Sequence, residues 1–248
     1  MDTLPLEIVI EEILSYNLTI GDIINVCQSS PRYQPVCRHP EFWLRYLKRS
    51  PEKNYSWDDD FYDEIARYGI SPLIDYYLEQ PYEIYKDFIN SAIFSSLEYN
   101  NIPLFKKLLN SLESRKVMIE YLFIRIQRGE IILTLLEKGH LDLAKDLDFM
   151  KDHRGYFLAG LYLYGHPELM VLYNEDLSWD EVRDAVTALG DRSENAGKDL
   201  LPFLRLLFNG DAIRMISFKE EIVEGIITWS SEQKRAIPIA VLRKFTSD

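Results

Sequence analysis

No apolar run in this chain approaches the roughly 18–20 residues that a membrane-spanning helix requires. The first residues also lack the basic, apolar and small-residue succession of a secretory signal, carrying Asp2, Glu7, Glu11 and Glu12 instead. Cysteine is nearly missing: Cys27 and Cys37 are the only two, too few for a disulfide framework, and the chain reads as intracellular, in the cytoplasm. Positive charge is in deficit, with a formal net charge of −12. Phosphate neutralisation supplies most non-specific affinity for nucleic acid, so nucleic acid is not an expected partner, and neither is a membrane.

The residue patterns of chemistry are equally thin. Among eleven glycines there is no Gly-x-x-x-x-Gly-Lys and no Gly-x-Gly-x-x-Gly with which to cradle a phosphate. Cys27, Cys37 and His39 lie close in sequence, but zinc needs a fourth ligand that is not evident. Four histidines, of which His140 and His166 occupy matching turns, leave little for a nucleophile–base pair. Asp58, Asp59 and Asp60 suit the first turn of a helix, where acids favour the positive dipole end. We therefore expect no catalytic, cofactor or metal site, and a protein that works by binding other proteins.

What the chain has is helical periodicity. At 100° per residue Leu6, Val9, Ile10, Ile13 and Leu14 share one face of a helix over about residues 5–15, while Leu4 and Ile8 point the other way. A surface helix needs one apolar face; a second spot opposite it implies a second surface to bury against. Thr19, with Asp22 three residues on, reads as the capping box of a helix through Ile20, Ile23, Ile24 and Cys27. Pro40 opens a third helix running through Phe42, Trp43, Tyr46 and Leu47. Pro51 and the polar run to Tyr55 mark a domain boundary. Between them Arg32, Arg38, Arg45, Lys48, Arg49 and Lys53 outnumber Glu41 and Glu52. This is either a solvated helix end and linker or a docking rim for an acidic protein.

These residues resemble an F-box. The matching positions are Leu4, Pro5, Glu7, Ile13, Leu14, Asp22, Val26, Cys27, Phe42 and Trp43, within residues 3–48, about one fifth of the chain. Residues 28–39 depart from the family by carrying two prolines where a basic residue and a more continuous third helix are usual. The resemblance implies a three-helix module that packs apolar residues into the Skp-type adaptor of a cullin-RING ubiquitin ligase. Leu4, Pro5 and Ile8 would face that adaptor, with Ile13, Leu14, Ile23, Ile24 and Trp43 building the patch. The alternative is a helical cap that buries all of them internally against the next domain.

From residue 56 the chain reads as helical almost throughout, and it repeats. Gly-x-x-x-Leu, with Asn allowed for Gly, recurs at Gly69–Leu73, Asn100–Leu104, Gly139–Leu143, Gly165–Leu169 and Gly197–Leu201. The leucines lie 31, 39, 26 and 32 residues apart. Ser56-Trp57-Asp58-Asp59 and Ser178-Trp179-Asp180-Glu181 read as matching N-caps, with helices that end at Gly69 and Gly190. Residues 191–197 read as a surface loop, and Ala236–Phe245 as a terminal capping helix. Tyr76, Tyr77, Tyr82, Tyr85, Tyr156, Tyr162 and Tyr164 fall in or near the repeats, as packing residues or as binding surface. Each unit is helix, tight turn, helix, and one hairpin cannot bury its apolar face without neighbours.

The Gly-His-x-acidic-Leu turns at Gly139 and Gly165 resemble the inter-helix turn of ankyrin repeats, although no unit carries the Thr-Pro-Leu-His opening. The expected fold is all-α: an F-box-like module over residues 1–50, then a solenoid of degenerate ankyrin-like hairpins over 51–248. F-box segments fused to divergent ankyrin-like repeats resemble families expanded in large DNA viruses of protists. An adaptor that recruits a ubiquitin ligase to a substrate protein is the first expectation. A stand-alone scaffold or virion interaction protein is the second.

Overall fold

In the computed structural model, described for residues 6–16, 18–49, 58–114 and 125–227, the apolar face of the first segment does what its periodicity predicts. Helix α1 (Leu6–Leu14) buries Val9, Ile10, Ile13 and Leu14. Helix α2 (Ile20–Ser29) starts on the expected capping box: the Asp22 N–H donates to Thr19 Oγ1 at 3.2 Å and the Thr19 N–H to Asp22 Oδ2 at 3.3 Å. A four-residue helix α3 (Gln34–Cys37), not anticipated, occupies the proline-bearing stretch, and α4 (Pro40–Leu47) follows as expected.

The described residues are all-α, with no strand among them. The chain divides into two compact units, residues 1–122 and 123–248. The first four helices fall in the first of these. They share the first unit with α5 (Asp58–Tyr68), α6 (Ser71–Glu79), α7 (Tyr82–Glu98) and α8 (Ile102–Ser114), with α2 against α5 and α4 against α6. The Gly21 N–H donates to Glu64 Oε2 at 3.1 Å, placing an α5 carboxylate at the positive end of α2. In this unit α7 is central, with Tyr85, Phe88, Ile89, Ala92 and Ile93 fully buried. Tyr77 stacks on Phe88 with ring centroids 5.1 Å apart. Ser91 and Ser95 of α7 both donate to Asp63 Oδ1 of α5, which satisfies a carboxylate inside the packed layer.

The second unit comprises α9 (Arg125–Glu137), α10 (Leu141–Asp146), a 3-10 helix (Asp148–His153), α11 (Arg154–Leu163), a second 3-10 helix (Pro167–Leu172), α12 (Trp179–Arg192), α13 (Ala196–Leu207), α14 (Ala212–Ser217) and α15 (Lys219–Ile227). Its core is α11, buried on every side from Gly155 to Leu161 and packed by α9, α12 and α13. At Gly155 an added Cβ would collide with the Glu181 carbonyl, so the absent side chain sets how closely α12 approaches.

Tight turns recur in one form. Gly69, Asn100, Gly139, Gly165 and Asn209 all take positive φ, between 52° and 92°. In each case the next residue donates its N–H to the carbonyl five positions back: Ile70 to Ile65, Asn101 to Ser96, His140 to Leu135, His166 to Leu161, Gly210 to Arg205. This 6→1 bond closes a helix end with a left-handed residue, which glycine adopts freely and asparagine tolerates. Four of the five predicted turns take this form. The fifth does not: Gly197 lies inside α13, and the turn falls at Asn209–Gly210 instead. Gly190 likewise ends nothing, since α12 continues through it to Arg192. The loop expected over 191–197 shrinks to 193–195, with Ser193 and Ala196 buried at its edges. The Ser178 capping box forms as read, its N–H donating to Glu181 Oε2 at 2.6 Å. Ser56 and the stretch Ala236–Phe245 lie outside the described residues.

Candidate functional site

Opposite its buried face α1 presents Ile8, 52% exposed, and the carboxylates on either side of Ile8 are both engaged. Glu11 accepts from Arg45 on α4 and from Arg49 Nη2 just beyond the end of α4, the latter at 2.6 Å. Glu12 accepts from Arg32 Nη2 at 2.9 Å and from Tyr33 Oη at 3.3 Å, both in the segment between α2 and α3. The exposed isoleucine thus stands between two sets of polar ties that fix its helix on the module.

Half of the basic cluster is consumed by these ties. Arg32, Arg45 and Arg49 pair with Glu12, Glu11 and Glu41 inside the module, and Lys53 lies outside the described residues. The hydrogen bond from Arg45, with its charge behind it, holds the Glu41 carboxyl below the usual carboxylate range, and Glu41 in turn raises Arg45. Cations committed in this way form part of the module's own surface chemistry rather than a rim of uncompensated positive charge.

The other expected docking residues divide sharply. Ile13, Leu14, Ile23 and Trp43 are buried in the first unit, and Ile24 is half-buried. Trp43 packs edge-on against Phe42 and Tyr46 at 4.9 and 6.0 Å, and its Nε1–H donates to the Cys37 carbonyl at 2.8 Å. Leu4 and Pro5 lie outside the described residues. Leu44, which sequence reasoning passed over, is 41% exposed on the side of α4 away from Phe42, Trp43 and Tyr46. Its signal was available, since a residue two positions from both Phe42 and Tyr46 lies roughly 160° round the helix from each of them.

The cysteines do not stand as isolated thiols. Cys27 and Cys37 form a disulfide, with Cα atoms 6.3 Å apart, that joins α2 to the end of α3. Two cysteines, too few for a disulfide framework, thus still make one bridge. Pairing depends on how the chain folds back, which two cysteines ten residues apart do not reveal.

A second apolar surface lies in the second unit. Val171 and Leu172 end the second 3-10 helix, Leu206 lies in the last turn of α13, and Ile213 and Ile216 belong to α14. Leu172 and Ile213 are 68% and 83% exposed. Buried Asn174 brings these segments together: its Nδ2 donates to the Leu206 carbonyl at 2.8 Å and to Asn209 Oδ1 at 3.0 Å, and its own carbonyl accepts from Arg214 Nη2 at 3.3 Å. Exposed Trp179 reaches toward the same region through Phe218, which stacks on Phe208. Singly exposed apolar residues are ordinary on a protein surface; the five from Val171 to Ile216 stand on segments that Asn174 ties to one another.

The repeat residues are mostly structural. Neither His140 nor His166 caps its helix with its imidazole, and His166 Nδ1 lies 4.0 Å from Glu168 Oε1. Tyr77, Tyr85 and Tyr156 are buried, Tyr76 is exposed, Tyr162 and Tyr164 are half-buried, and the side chain of Tyr82 is not described. Burial pushes the Tyr162 and Tyr164 hydroxyls up, helped by Asp199 and Glu137 respectively. Among the described residues no three His, Cys, Asp or Glu side chains gather as a metal site, and no helix is long and apolar enough to cross a membrane. Compared with known proteins, the chain matches no family model, no curated protein and no solved structure.

Proposed function

We propose that this chain is a non-catalytic protein-interaction adaptor. In this reading the N-terminal helices act as an F-box-like module that recruits a Skp-type subunit of a cullin-RING ubiquitin ligase. The hairpins that follow form a degenerate ankyrin-like solenoid and hold a substrate protein, with chemistry supplied by proximity to the ligase. The observation that carries the reading is Ile8: an isoleucine 52% exposed on a helix whose opposite face is buried and whose flanking carboxylates fix it in place. The exposed face round Val171, Leu172, Leu206 and Ile213 supports a second contact for a substrate.

Co-purification of the chain with a Skp-type adaptor tests this. Co-elution that Ile8→Glu abolishes is the expected result. Failure of the unmodified chain to co-elute defeats the ligase reading.

The burial of Ile13, Leu14, Ile23 and Trp43 favours a second reading, in which the first four helices cap the hairpins of a stand-alone scaffold or virion interaction protein. The two readings diverge at Ile8. A docking surface slows amide exchange in α1 when the partner is added, whereas a cap leaves that exchange unchanged.

A further inference from the structure

The Cys27–Cys37 disulfide closes a short segment that reaches both neighbouring helices of the N-terminal region. Within it, Arg32 and Tyr33 hold Glu12 of α1 at 2.9 and 3.3 Å. At its end the Cys37 carbonyl receives the Trp43 indole N–H of α4 at 2.8 Å. Between these contacts lies α3, whose four residues are too few to hold a helical turn by their own hydrogen bonds. The position of α3, and through it the grip on α1 and α4, depends on buried Val36 and on the covalent tie to α2.

The two cysteines differ in exposure. Cys27 lies on the inner face of α2 and is 3% exposed, while Cys37 is half-buried at the open end of α3. An external thiolate therefore meets the Cys37 sulfur first, and Cys27 is the leaving group.

We propose that this disulfide is a reversible redox clamp, operated by a dithiol/disulfide couple through Cys37, that sets the order of the segment between α2 and α4 and its grip on α1. In the opening direction one thiolate of the dithiol attacks Cys37 Sγ. The Cys27–Cys37 bond breaks, and Cys27 departs as a thiolate that takes up a proton. The second thiolate of the reagent then attacks its own sulfur in the mixed disulfide, releasing Cys37 as a thiol. The protein gains two electrons and two protons, and the dithiol becomes a disulfide. Closing is the reverse. The clamp concerns the module's own order and does not depend on which partner the module binds.

The test uses the full chain, equilibrated with reduced and oxidised dithiothreitol in graded ratios, quenched by alkylation and read by mass spectrometry and amide hydrogen exchange. Cys27 and Cys37 are expected to convert together. Reduction is expected to speed exchange over residues 28–40 and in α1 on the order of a hundredfold, the scale of the loop-closure entropy released. Residues 61–112 and 128–225 are expected to keep their protection. The Cys27→Ser/Cys37→Ser variant should behave as the reduced chain does and ignore reductant. Direct comparison of oxidised and reduced wild type gives the same reading if that variant fails to fold. In a brief reaction with a monothiol such as glutathione, the first adduct is expected on Cys37. Thiols that stay free at every ratio overturn the proposal, as do equal exchange in the two states and a first adduct on Cys27. Loss of protection throughout residues 61–112 on reduction also overturns it, because the bond is then a plain structural cross-link.

Discussion

Arg154 grips Glu181 with two parallel hydrogen bonds, Nε to Oε1 at 2.8 Å and Nη2 to Oε2 at 2.7 Å. The same carboxylate completes the Ser178 capping box, so one side chain both starts α12 and ties it to α11. Burial alone would raise the Glu181 pKa, but the hydrogen bonds from Arg154 and Ser178 outweigh it and hold the carboxyl below its usual value. Charge-assisted bonds of this kind contribute about 1.5–3 kcal/mol. Arg154→Ala is expected to lower the stability of the second unit by roughly 1–3 kcal/mol in urea denaturation.

The pH dependence follows from the direction of that shift. Folding lowers the Glu181 pKa, so the unfolded chain binds the proton first. The contribution is complete above the ordinary glutamate value of about 4.3 and is lost as pH falls through the lower folded value. Denaturation midpoints recorded on the acid side should therefore fall more steeply for wild type than for Glu181→Gln, which lacks the titrating group.

The left-handed turns give a graded set. Gly139 and Gly165 have φ of 80° and 92° with open space around a new Cβ, so Gly→Ala at either costs only the backbone term, about 1–2 kcal/mol. Gly155→Ala meets the Glu181 carbonyl and should cost roughly 3 kcal/mol or more. Asn209→Gly eases the backbone at φ of 52° but removes both side-chain bonds to buried Asn174, and a net cost of about 1 kcal/mol is expected. Thermal unfolding of the series separates these cases.

Asn174 makes a different prediction. It is fully buried, and replacing it with Ala leaves the Leu206 carbonyl without this donor while freeing Asn209. A cost of about 1–3 kcal/mol is expected, with faster amide exchange concentrated at 171–176 and 206–214.

On α1 two isoleucines should part company. Ile8→Glu changes an exposed position and should leave stability within about 0.5 kcal/mol. Ile13→Glu buries a charge at a site 3% exposed and should unfold the first unit. Circular dichroism beside the co-purification assay distinguishes loss of docking from loss of structure.

Local signals were the legible ones. The capping boxes at Thr19 and Ser178 need only two residues three apart, and the turns at Gly69, Asn100, Gly139 and Gly165 need one left-handed residue before a new helix. Gly190 and Gly197 misled for a related reason. Glycine also stands inside helices, as at Gly155 and Gly160, and the residue type alone does not tell the two uses apart. Of the candidate surface, Ile8 was readable from periodicity, while the inward turn of Trp43 depended on Phe42, Tyr46 and the Cys37 carbonyl converging round it. The disulfide and the Asn174 anchor were not readable. Each joins residues whose proximity exists only after the chain has folded.

The five left-handed turns also bear on how the chain acquires its structure. Each is completed by a hydrogen bond reaching only five residues back, so the reversals close over short loops with little entropic delay. A nascent chain can form each bend soon after its residues are synthesised. The slower search is left to the longer-range ties, such as Gly21 to Glu64 and Asn174 to Leu206.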